Sequence, residues 1–502
     1  MRCKTSMSEI SISELALHLK GEIVHGDGSR RVLLKPSASS TLVGRDEIFI
    51  AIKGNAADGH RFLSDAFSRG VGVAIVEERD SLQGHPGIVV PNTRLALSSL
   101  ASLACGEPSQ KMHVVGITGT NGKTTTNWIV YHVLNAIGGG ALRIGTLGTE
   151  VMGNSPQEGS LTSPDPVTLH QMMAEGVQSG ASSCVMEASS HALDQARVED
   201  VSFDVAVFTN LTRDHLDYHK TFEHYFAAKS RLFDLLSKSS KGTKGAVINL
   251  DDPYGEQLWL SNGSKGLKDF SFGKDPRARF QIVEVKETPH SMVIKLTPRG
   301  EHQDITIQAP FIGPHNAENV VAAFASVVAL GYPYPDVIEA LRTTPQVPGR
   351  LERVGQGSPR IFVDYAHTPD ALERVLKAVR VSTQGKLWCV FGCGGDRDRG
   401  KRPEMARIAA AGADCVVVTS DNPRTEAPQS IIDDILSSGI EPAVVNPDRA
   451  QAIAQAVGDA APNDTIVIAG KGHENYQIIG TSKVHFSDQE VSLEALAARC
   501  RT

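Results

Sequence analysis

The sequence lacks any apolar run of the length that crosses a bilayer, which is about 20 residues for a helix. It also begins without a secretory signal, because the first ten residues, MRCKTSMSEI, include basic side chains but no apolar core after them. Both absences predict a cytoplasmic protein with no membrane span.

Basic charge and cysteine are also scarce. The 502 residues include 50 Lys and Arg against 57 Asp and Glu, a formal net charge of −7, whereas nucleic-acid-binding domains usually carry a basic face. We therefore expect no nucleic-acid partner. The seven cysteines are odd in number and scattered, which fits a reducing compartment better than a disulfide framework. Cys389 and Cys393 are close, but no second Cys or His pair follows at zinc spacing.

The chain contains no tandem repeat, and its composition, 41% hydrophobic and 21% charged, is typical of a globular protein. Its length predicts about three domains. Segments rich in Pro and Gly at Gly106–Lys111 and Thr344–Arg350 separate patterned regions. We predict domains at residues 1–108, 109–346 and 347–502.

Short apolar runs alternate with helical patterns along the chain, which predicts α/β domains with mostly parallel sheets. The strand candidates are Ile48–Ile52, Val73–Val76, Ile88–Val90, His113–Thr118, Cys184–Met186, Val205–Thr209, Ala246–Asn249, Arg360–Val363, Leu387–Phe391, Cys415–Thr419 and Thr465–Ala469. Most of the later candidates are followed at once by polar residues, such as TNLTRDH and GKGHENY. Because ligands of such sheets bind beyond the carboxyl ends of the strands, we expect the functional groups there.

The segment GITGTNGKTTT, residues 116–126, lies between a strand candidate and a helical pattern. Its glycines let backbone N–H groups converge on an anion, Lys123 would reach phosphates, and Thr124 would offer a hydroxyl to Mg²⁺. The spacing is unusual, since five residues rather than four separate Gly116 from Gly122. We nevertheless predict a nucleotide-binding loop in a central domain that resembles P-loop ATPases.

Two further residues follow strand candidates. Glu187 ends one of them, and His215 lies in the loop after another. Either could ligate Mg²⁺ or a second divalent cation that bridges phosphates, although each alone is more often an ordinary surface or hydrogen-bonded residue. The sequence has no Asn-Lys-x-Asp motif for reading guanine, so a GTPase switch is not expected.

Lys229 lies on the apolar face of a predicted helix, three or four residues from aromatic and aliphatic side chains. These side chains are Tyr225, Phe226, Leu232 and Phe233. In one interpretation the lysine extends past this face to solvent. In the other, burial lowers its pKa, and the neutral amine reacts with CO₂ to give a carbamate that could hold a metal.

Ten motifs spread over nearly the whole chain resemble the Mur ligase family of peptidoglycan synthesis. They are TGTNGKT (118–124), MEASSHALDQAR (186–197), NLTRDHLDYH (210–219), AAKSRLF (227–233), HNAEN (315–319), GRLE (349–352), DYAHTP (364–369), GCGGDRDRGKRP (392–403), DNPR (421–424) and GKGHE (470–474). The loop of this family runs T-G-T-x-G-K-T/S without the first Walker glycine, which accounts for the unusual spacing.

The resemblance implies a small N-terminal domain for the uridine end of the substrate, a central ATP-binding domain, and a C-terminal Rossmann-like domain for the incoming amino acid. It implies Mg²⁺ as cofactor and ATP as co-substrate. Thr124 and Glu187 would serve one cation, and His215 would serve a second cation with a carbamylated Lys229. The catalytic residues would be Lys123, Lys229 and His215. The residues at nucleotide-binding positions are Gly119, Thr120, Asn121, Gly122, Lys123, Thr124, Thr125, Asn316, Asn319 and Asp364.

The resemblance also implies UDP-N-acetylmuramoyl-L-alanyl-D-glutamate as a substrate. The residues at its binding positions are Ser40, Thr162, Ser163, Ser189, Gln195 and Arg197. Two of these positions depart from the family pattern. The uridine motif, commonly D-S-R, is S-S-T at 39–41, and Thr162-Ser163 replaces the more usual Thr-Thr pair while keeping both hydroxyls.

Arg424, in the D-N-P-R motif, bears on which amine is added. As ordinary chemistry this is a polar turn with a solvated arginine. As an amino-acid-binding residue, Arg424 would bind a carboxylate through two parallel hydrogen bonds. meso-Diaminopimelate has a second carboxylate that lysine lacks. In the Mur ligase family, which this chain resembles, D-N-P-R is typical of the members that add diaminopimelate. The residues at amino-acid-binding positions are Arg397, Asp421, Asn422, Pro423, Arg424, Gly470 and Glu474.

The expected activity is ATP-dependent amide ligation through an acyl phosphate, by a chain that we take to be a monomer. Two other enzyme activities are alternatives, namely those of a folylpolyglutamate synthase and of the lysine-adding relative. A nucleotide-dependent switch or binding module without synthesis is an alternative of another class.

Overall fold

The computed structural model describes residues 8–54, 57–154, 156–157, 161–288 and 291–499. The chain forms two compact units. The first comprises Met1–Val283, Leu296–Ile305 and Glu318–Leu341, and the second comprises Glu284–Lys295, Thr306–Ala317 and Arg342–Thr502. The chain passes between the units more than once, and the predicted boundaries at residues 108 and 346 stay a prediction.

A five-stranded sheet forms the amino-terminal part of the first unit. Its strands, in spatial order, are Glu22–Val24, Gly87–Val89, Val73–Val76, Ile48–Ile50 and Pro36–Ser37. Only the first pair is antiparallel. Both faces are buried, because Ile48 and Ile50 pack in one apolar cluster and Phe49 in another. The surrounding elements are the α-helices Ile12–Leu19, Leu63–Ser68 and Thr93–Ala104, the 3₁₀ helices Gly59–Phe62, Arg79–Leu82 and Pro108–Lys111, and the paired strands Glu9–Ser11 and Arg31–Leu33.

A seven-stranded sheet carries the phosphate-binding loop. Its strands, in spatial order, are Gly148–Val151, Ala141–Gly145, Ser183–Glu187, His113–Thr118, Val205–Phe208, Gly245–Ile248 and Lys268–Asp269. All neighbours are parallel except the first pair, a hairpin that the sequence analysis did not predict. The helices of this part are Lys123–Ile137, Pro166–Gln178, Ser190–Asp194, Leu216–His219, Phe222–Lys238, Pro253–Asn262 and the 3₁₀ helix Gly263–Lys265.

A four-stranded sheet follows in the sequence and was also not predicted. Its strands are Phe272–Gly273, Phe280–Glu287, Met292–Pro298 and Ile305–Ala309, and the helices Pro314–Ala329 and Tyr334–Arg342 come after it. In Met292–Pro298, buried residues alternate with half-buried ones. The search for continuous apolar runs missed this strand, because only every second residue is buried.

A six-stranded sheet forms the core of the second unit. Its strands, in spatial order, are Glu352–Val354, Arg360–Asp364, Thr465–Ala469, Leu387–Phe391, Cys415–Val418 and Val444–Val445. Only the first pair is antiparallel, which confirms the predicted Rossmann-like α/β arrangement. Apolar clusters cover both faces of the sheet. The helices are Pro369–Arg380, Lys401–Gly412, Pro428–Leu436, Arg449–Asp459 and Asp488–Arg499, and a hairpin joins Tyr476–Ile479 to Ser482–His485.

The parallel strands of each large sheet end at one edge, so the loops after them meet there. In the first unit these loops are the phosphate-binding loop and the segments after Glu187 and Phe208. In the second unit they include D-N-P-R and G-K-G-H-E. Within the described part of the chain, no helix combines the length and the apolar character that crossing a bilayer requires.

Candidate active site

Two glycines shape the phosphate-binding loop. Gly119 has φ +146° and Gly122 has φ +86°, in the region that favours glycine. A Cβ on Gly119 would lie 1.9 Å from Thr209 Oγ1, and a Cβ on Gly122 would lie 2.3 Å from Asn319 Oδ1. The loop backbone therefore approaches these side chains more closely than any other residue would allow.

Gly116 serves another purpose. It lies inside the strand His113–Thr118, not in the loop, and a Cβ there would meet the Phe203 ring at 2.6 Å. This glycine is needed for packing the sheet against Phe203. The loop therefore begins at Gly119, which is why the spacing counted from Gly116 is one residue too long.

Lys123 is the first residue of the helix that follows the loop. Its Nζ donates hydrogen bonds to the carbonyl oxygens of Gly119 and Thr120, both at 2.9 Å, which holds the ammonium against the loop. The amino end of the helix adds the positive end of its dipole. The loop thus presents a lysine and a helix amino terminus to an anion.

Glu187 is a buried carboxylate beside this loop. Thr124 Oγ1 donates to its Oε2 at 3.1 Å, and Thr146 donates from its N–H to Oε1 at 2.8 Å and from its hydroxyl to Oε2 at 3.1 Å. A Cβ on Gly145 would lie 2.3 Å from Oε1, so this position must be glycine for the carboxylate to fit. Throughout the described ranges, no basic side chain comes within 4.0 Å of the carboxylate.

The chemistry of Thr124 and Glu187 fits Mg²⁺. A buried carboxylate is costly without a compensating charge, and carboxylate and hydroxyl oxygens are ligands that Mg²⁺ takes in proteins. No three His, Cys, Asp or Glu side chains of the described residues are grouped to hold a metal ion by themselves. Mg²⁺ is commonly bound by one or two protein oxygens and completed by phosphates and water.

Lys229 is buried, and its amine does not extend to solvent. Its Nζ donates to the Gly119 carbonyl at 2.7 Å and lies 4.5 Å from the centre of the Tyr225 ring. Burial lowers the pKa of Lys229 well below its usual value; the charge of Lys123 adds to this effect, and Asp214 opposes it. The amine therefore lies beneath the loop in an environment that favours its neutral form.

His215 adopts φ +53° and caps the short helix Leu216–His219. Its ring meets the His191 ring edge-on, with centroids 4.9 Å apart, and lies 6.2 Å from the Tyr225 ring that Lys229 also contacts. Burial lowers the pKa of His215, and the charges of His191, Lys123 and Lys229 act in the same direction, whereas Asp214 raises it. A neutral imidazole keeps a lone pair for a metal.

A chain of hydrogen bonds connects Glu187 with the predicted substrate-binding residues. Ser163 Oγ donates to the Glu187 carbonyl at 2.8 Å and lies 3.2 Å from Ser189 Oγ. Arg197 donates to the Ser163 carbonyl at 3.1 Å and to Gln195 Oε1 at 2.6 Å. Glu187 and four of the predicted substrate-binding residues therefore belong to one network.

Thr146 joins this network and was missed by the sequence analysis. Its hydroxyl lies 3.2 Å from Thr162 Oγ1 and 3.1 Å from Glu187 Oε2. It follows the strand Ala141–Gly145, which the sequence analysis did not predict, so its position at a strand end was not recognised. Ser40 is half-buried in the turn after Pro36–Ser37, and no hydrogen bond in the described residues links its side chain to this network.

The predicted adenosine-binding residues fall in both units. Asn319, in the first unit, accepts a hydrogen bond from Thr126 at 3.4 Å and lies against Gly122. Asn316, in the second unit, donates to the Ile312 carbonyl at 2.8 Å and lines a small pocket with Gln346, Val347, Arg350, Leu351 and Phe362. Asp364 accepts from the backbone N–H groups of Leu351 and Ala366, and burial raises its pKa to about 6.

The D-N-P-R and G-K-G-H-E motifs meet in the second unit. Asn422 Nδ2 donates to Glu474 Oε2 at 2.9 Å, and Lys471 Nζ donates to Asn422 Oδ1 and to Glu474 Oε2, both at 3.1 Å. A Cβ on Gly470 would lie 2.7 Å from Asp421 Oδ2. The sequence analysis did not predict a role for Lys471. A lysine between two glycines directly after a buried strand is a pattern that could have predicted one.

Arg397 lies in the loop after the strand Leu387–Phe391, and Arg424 contacts the same loop. Arg424 has φ +51° and donates through Nη1 to the Gly395 carbonyl at 2.8 Å. Its Nε and Nη2 have no hydrogen-bond partner among the described residues. Arg397 is exposed and donates to the Asp396 carbonyl at 3.2 Å. Both arginines approach Gly394, since a Cβ there would be 2.8 Å from Arg424 Nη1 and 3.7 Å from Arg397 Cγ.

Comparison with known proteins identifies two family domains. Residues 117–327 match the Mur ligase middle domain, and residues 349–472 match the glutamate ligase domain of Mur ligases. A relative from Thermosynechococcus vestitus, named UDP-N-acetylmuramoyl-L-alanyl-D-glutamate–2,6-diaminopimelate ligase, is 45% identical over 90% of this chain and 91% of its own. A relative of the same name from Geobacillus thermodenitrificans is 39% identical over 98% of this chain and 100% of its own.

Solved structures give the same result. The structure of a ligase with that name matches this chain with a TM-score of 0.74 at 31% identity, and the match covers 99% of this chain and 100% of the other. A folylpolyglutamate synthase from Mycobacterium tuberculosis has a TM-score of 0.61 at 20% identity over 75% of this chain and 92% of its own, which shows a shared fold alone. On the strength of the long, closely similar relatives and both family domains, the chain belongs to the Mur ligase family.

Proposed function

We propose that this chain is an ATP-dependent ligase that joins meso-2,6-diaminopimelate to UDP-N-acetylmuramoyl-L-alanyl-D-glutamate in peptidoglycan precursor synthesis. The relatives that cover 90% and 98% of the chain carry the name of this reaction. The observation that carries the proposal is the contact of Thr124 with the buried Glu187. A hydroxyl and a carboxylate that could hold a cation meet at the start of the phosphate-loop helix, next to the predicted substrate-binding residues, which supports the proposal.

The reaction must first activate a carboxylate, because oxide is too poor a leaving group for an amine to displace. A carboxylate oxygen attacks the γ-phosphorus of ATP, ADP leaves, and an acyl phosphate forms. This transfer depends on positioning and on neutralising charge rather than on a protein nucleophile. Lys123 and the helix amino terminus bind the phosphates, and Arg197 and Ser163 orient the acid substrate.

The first cation site consists of Thr124 and Glu187, and the second consists of His215 and carbamylated Lys229. Bound Mg²⁺ supplies positive charge that offsets the negative charge of the transferring phosphoryl group. The neutral Lys229 amine attacks CO₂: a C–N bond forms, one C=O π bond breaks as its electron pair moves to oxygen, and the nitrogen gives a proton to water, so that the lysine becomes a carbamate anion. Burial of the amine favours the neutral form that this step requires.

In the second step an amine of diaminopimelate attacks the acyl carbon, and phosphate leaves with the oxygen that it received from the substrate. Arg424 binds the distant carboxylate of the amino acid through guanidinium N–H groups that have no partner in the described residues. Lysine lacks this carboxylate and would leave those groups unpaired, at a cost of about 2–3 kcal/mol. The cytoplasmic location and the monomeric state remain predictions.

The proposal is tested by phosphate release from purified protein with ATP, Mg²⁺ and the nucleotide-linked dipeptide, with diaminopimelate, L-lysine or no amine added. We expect release to require diaminopimelate and to match amide formation. A parallel assay with a folate and glutamate should give no product. Synthesis with lysine or folate instead, or slow ATP turnover that no amino acid changes, would replace this function with one of the alternatives.

Lys229→Ala tests the carbamate. We expect kcat to fall at least about a hundredfold, because a charge that holds the second cation is lost. Acetate or another short carboxylic acid should restore part of the activity by occupying the space that the side chain leaves. The matched control is Lys238→Ala, an exposed lysine at the end of the same helix, which should leave kcat unchanged.

A second measurement uses ¹³C-bicarbonate and ¹³C NMR of the whole protein. We expect a carbamate resonance in the wild type that disappears in Lys229→Ala. A wild type without this resonance, together with a Lys229→Ala variant that neither bicarbonate nor short acids restore, would refute the carbamate.

Arg424→Ala tests how the amino acid is chosen. We expect KM for diaminopimelate to rise about 30- to 150-fold, which corresponds to the loss of about 2–3 kcal/mol, with KM for ATP little changed. Arg407→Ala, which removes an exposed arginine from the helix Lys401–Gly412, serves as the control. Steady-state kinetics with an unchanged diaminopimelate KM in Arg424→Ala would disprove the assignment.

A further inference from the structure

A buried arginine, Arg449, holds the ends of two strands of the second unit. Its Nη1 donates to the Ser420 carbonyl at 3.1 Å, and its Nη2 donates to the Ala469 carbonyl at 3.1 Å. Ser420 immediately precedes D-N-P-R, and Ala469 immediately precedes G-K-G-H-E. Both motifs therefore begin at a peptide group that Arg449 binds.

These two strands are not neighbours in the sheet. Leu387–Phe391 lies between Cys415–Val418 and Thr465–Ala469, so no ladder of backbone hydrogen bonds joins their ends directly. The middle strand is followed by Gly392, where a Cβ would lie 2.4 Å from the Thr419 carbonyl. Arg449 therefore links two strand ends across a third strand.

Asp488 fixes the orientation of the guanidinium. Arg449 Nε donates to Asp488 Oδ1 at 2.7 Å and Nη2 donates to Oδ2 at 2.8 Å, and both side chains are fully buried. Two parallel hydrogen bonds set the plane of an arginine as well as its position. Each residue is the first of a helix, Arg449–Asp459 and Asp488–Arg499, so the pair is anchored at two helix ends.

The side chains of the two motifs depend on the spacing that Arg449 sets. Lys471 Nζ reaches Asn422 and Glu474 at 3.1 Å each, and Asn422 reaches Glu474 at 2.9 Å. These contacts form only if the two loops lie at the correct separation. Burial raises the pKa of Asp421, and the positive charges of Arg449 and Lys471 oppose that rise.

We propose that Arg449, oriented by Asp488, is a positioning residue for the amino-acid subsite, where it sets the separation of D-N-P-R from G-K-G-H-E. It acts through the Ser420 and Ala469 carbonyls and does not touch the amino acid. The proposal rests on the proposed function, which has the incoming diaminopimelate bind these two motifs.

Arg449→Lys in the full chain is the first test, because lysine keeps a positive charge for Asp488 but lacks the planar fork that reaches both carbonyls. We expect KM for diaminopimelate to rise about ten- to a hundredfold, as a misplacement of about 1 Å does in an active site. KM for ATP should change less than about threefold. Amide hydrogen exchange of Asp421, Asn422 and Arg424 and of residues 470–474 should become faster than in the wild type.

The first variant could misfold because Asp488 is left as a poorly paired buried charge, so a second variant removes both charged side chains. Arg449→Met/Asp488→Leu removes both charges, a change that folded proteins often tolerate without loss of stability. It should show the same KM change and the same faster exchange. The matched control is Arg360→Lys, because Arg360 donates to Thr465 Oγ1 at 3.0 Å, at the amino end of the strand whose carboxyl end Arg449 binds. This control should leave the diaminopimelate KM unchanged.

A folded variant of either kind with wild-type diaminopimelate KM and wild-type exchange in both motifs would overturn the proposal, as would equal rises in KM for ATP and for the amino acid. A wild-type protein that does not use diaminopimelate would contradict the proposed function instead. The exchange measurement needs no substrate, and in that case unchanged exchange would still refute the role of Arg449 and faster exchange would still support it.

Discussion

The buried carboxylate of Glu187 is the constraint on which the first unit depends. A carboxylate removed from water needs hydrogen bonds and positive charge, and in the described residues Thr124 and Thr146 supply the hydrogen bonds while no basic side chain supplies the charge. A cation is therefore favoured between the carboxylate and the phosphate-binding loop. The carbonyl of the same residue accepts a hydrogen bond from the Ser163 hydroxyl, so the proposed cation site and the proposed acid-substrate site share Glu187.

The second unit also buries a charged side chain, but there the charge is the positive one of Arg449. Arg449 is buried with Asp488, and its remaining N–H groups hold the peptide carbonyls from which two binding loops start. In both units the parallel strands end at one edge of the sheet, and most predicted site residues lie in the loops beyond that edge. In the second unit the sheet positions the strand ends, and in our proposal Arg449 sets the separation of the two loops that follow them.

The strands and motifs could be predicted because they are local patterns. Apolar runs identified the central parallel strands of the three large sheets but not Pro36–Ser37, Ala141–Gly145, Lys268–Asp269 or Val444–Val445. The helical period placed Lys229 on an apolar face, although only the structure shows that its amine is enclosed. The hairpin strand Ala141–Gly145 was missed because the buried Arg143 interrupts its apolar run. The four-stranded sheet was missed because its strands alternate buried with more exposed residues or are only two residues long. The roles of Arg449 and Gly116 depend on contacts with residues far away in the sequence, which no local pattern reveals.

The central claim is that ATP activates the substrate carboxylate as an acyl phosphate. The most direct test labels the reacting carboxylate of the nucleotide-linked dipeptide with ¹⁸O and follows the label by mass spectrometry during ligation. The account predicts one ¹⁸O in each phosphate released, because phosphate departs with the oxygen that attacked ATP. Amide product formed together with phosphate that contains no ¹⁸O would contradict it.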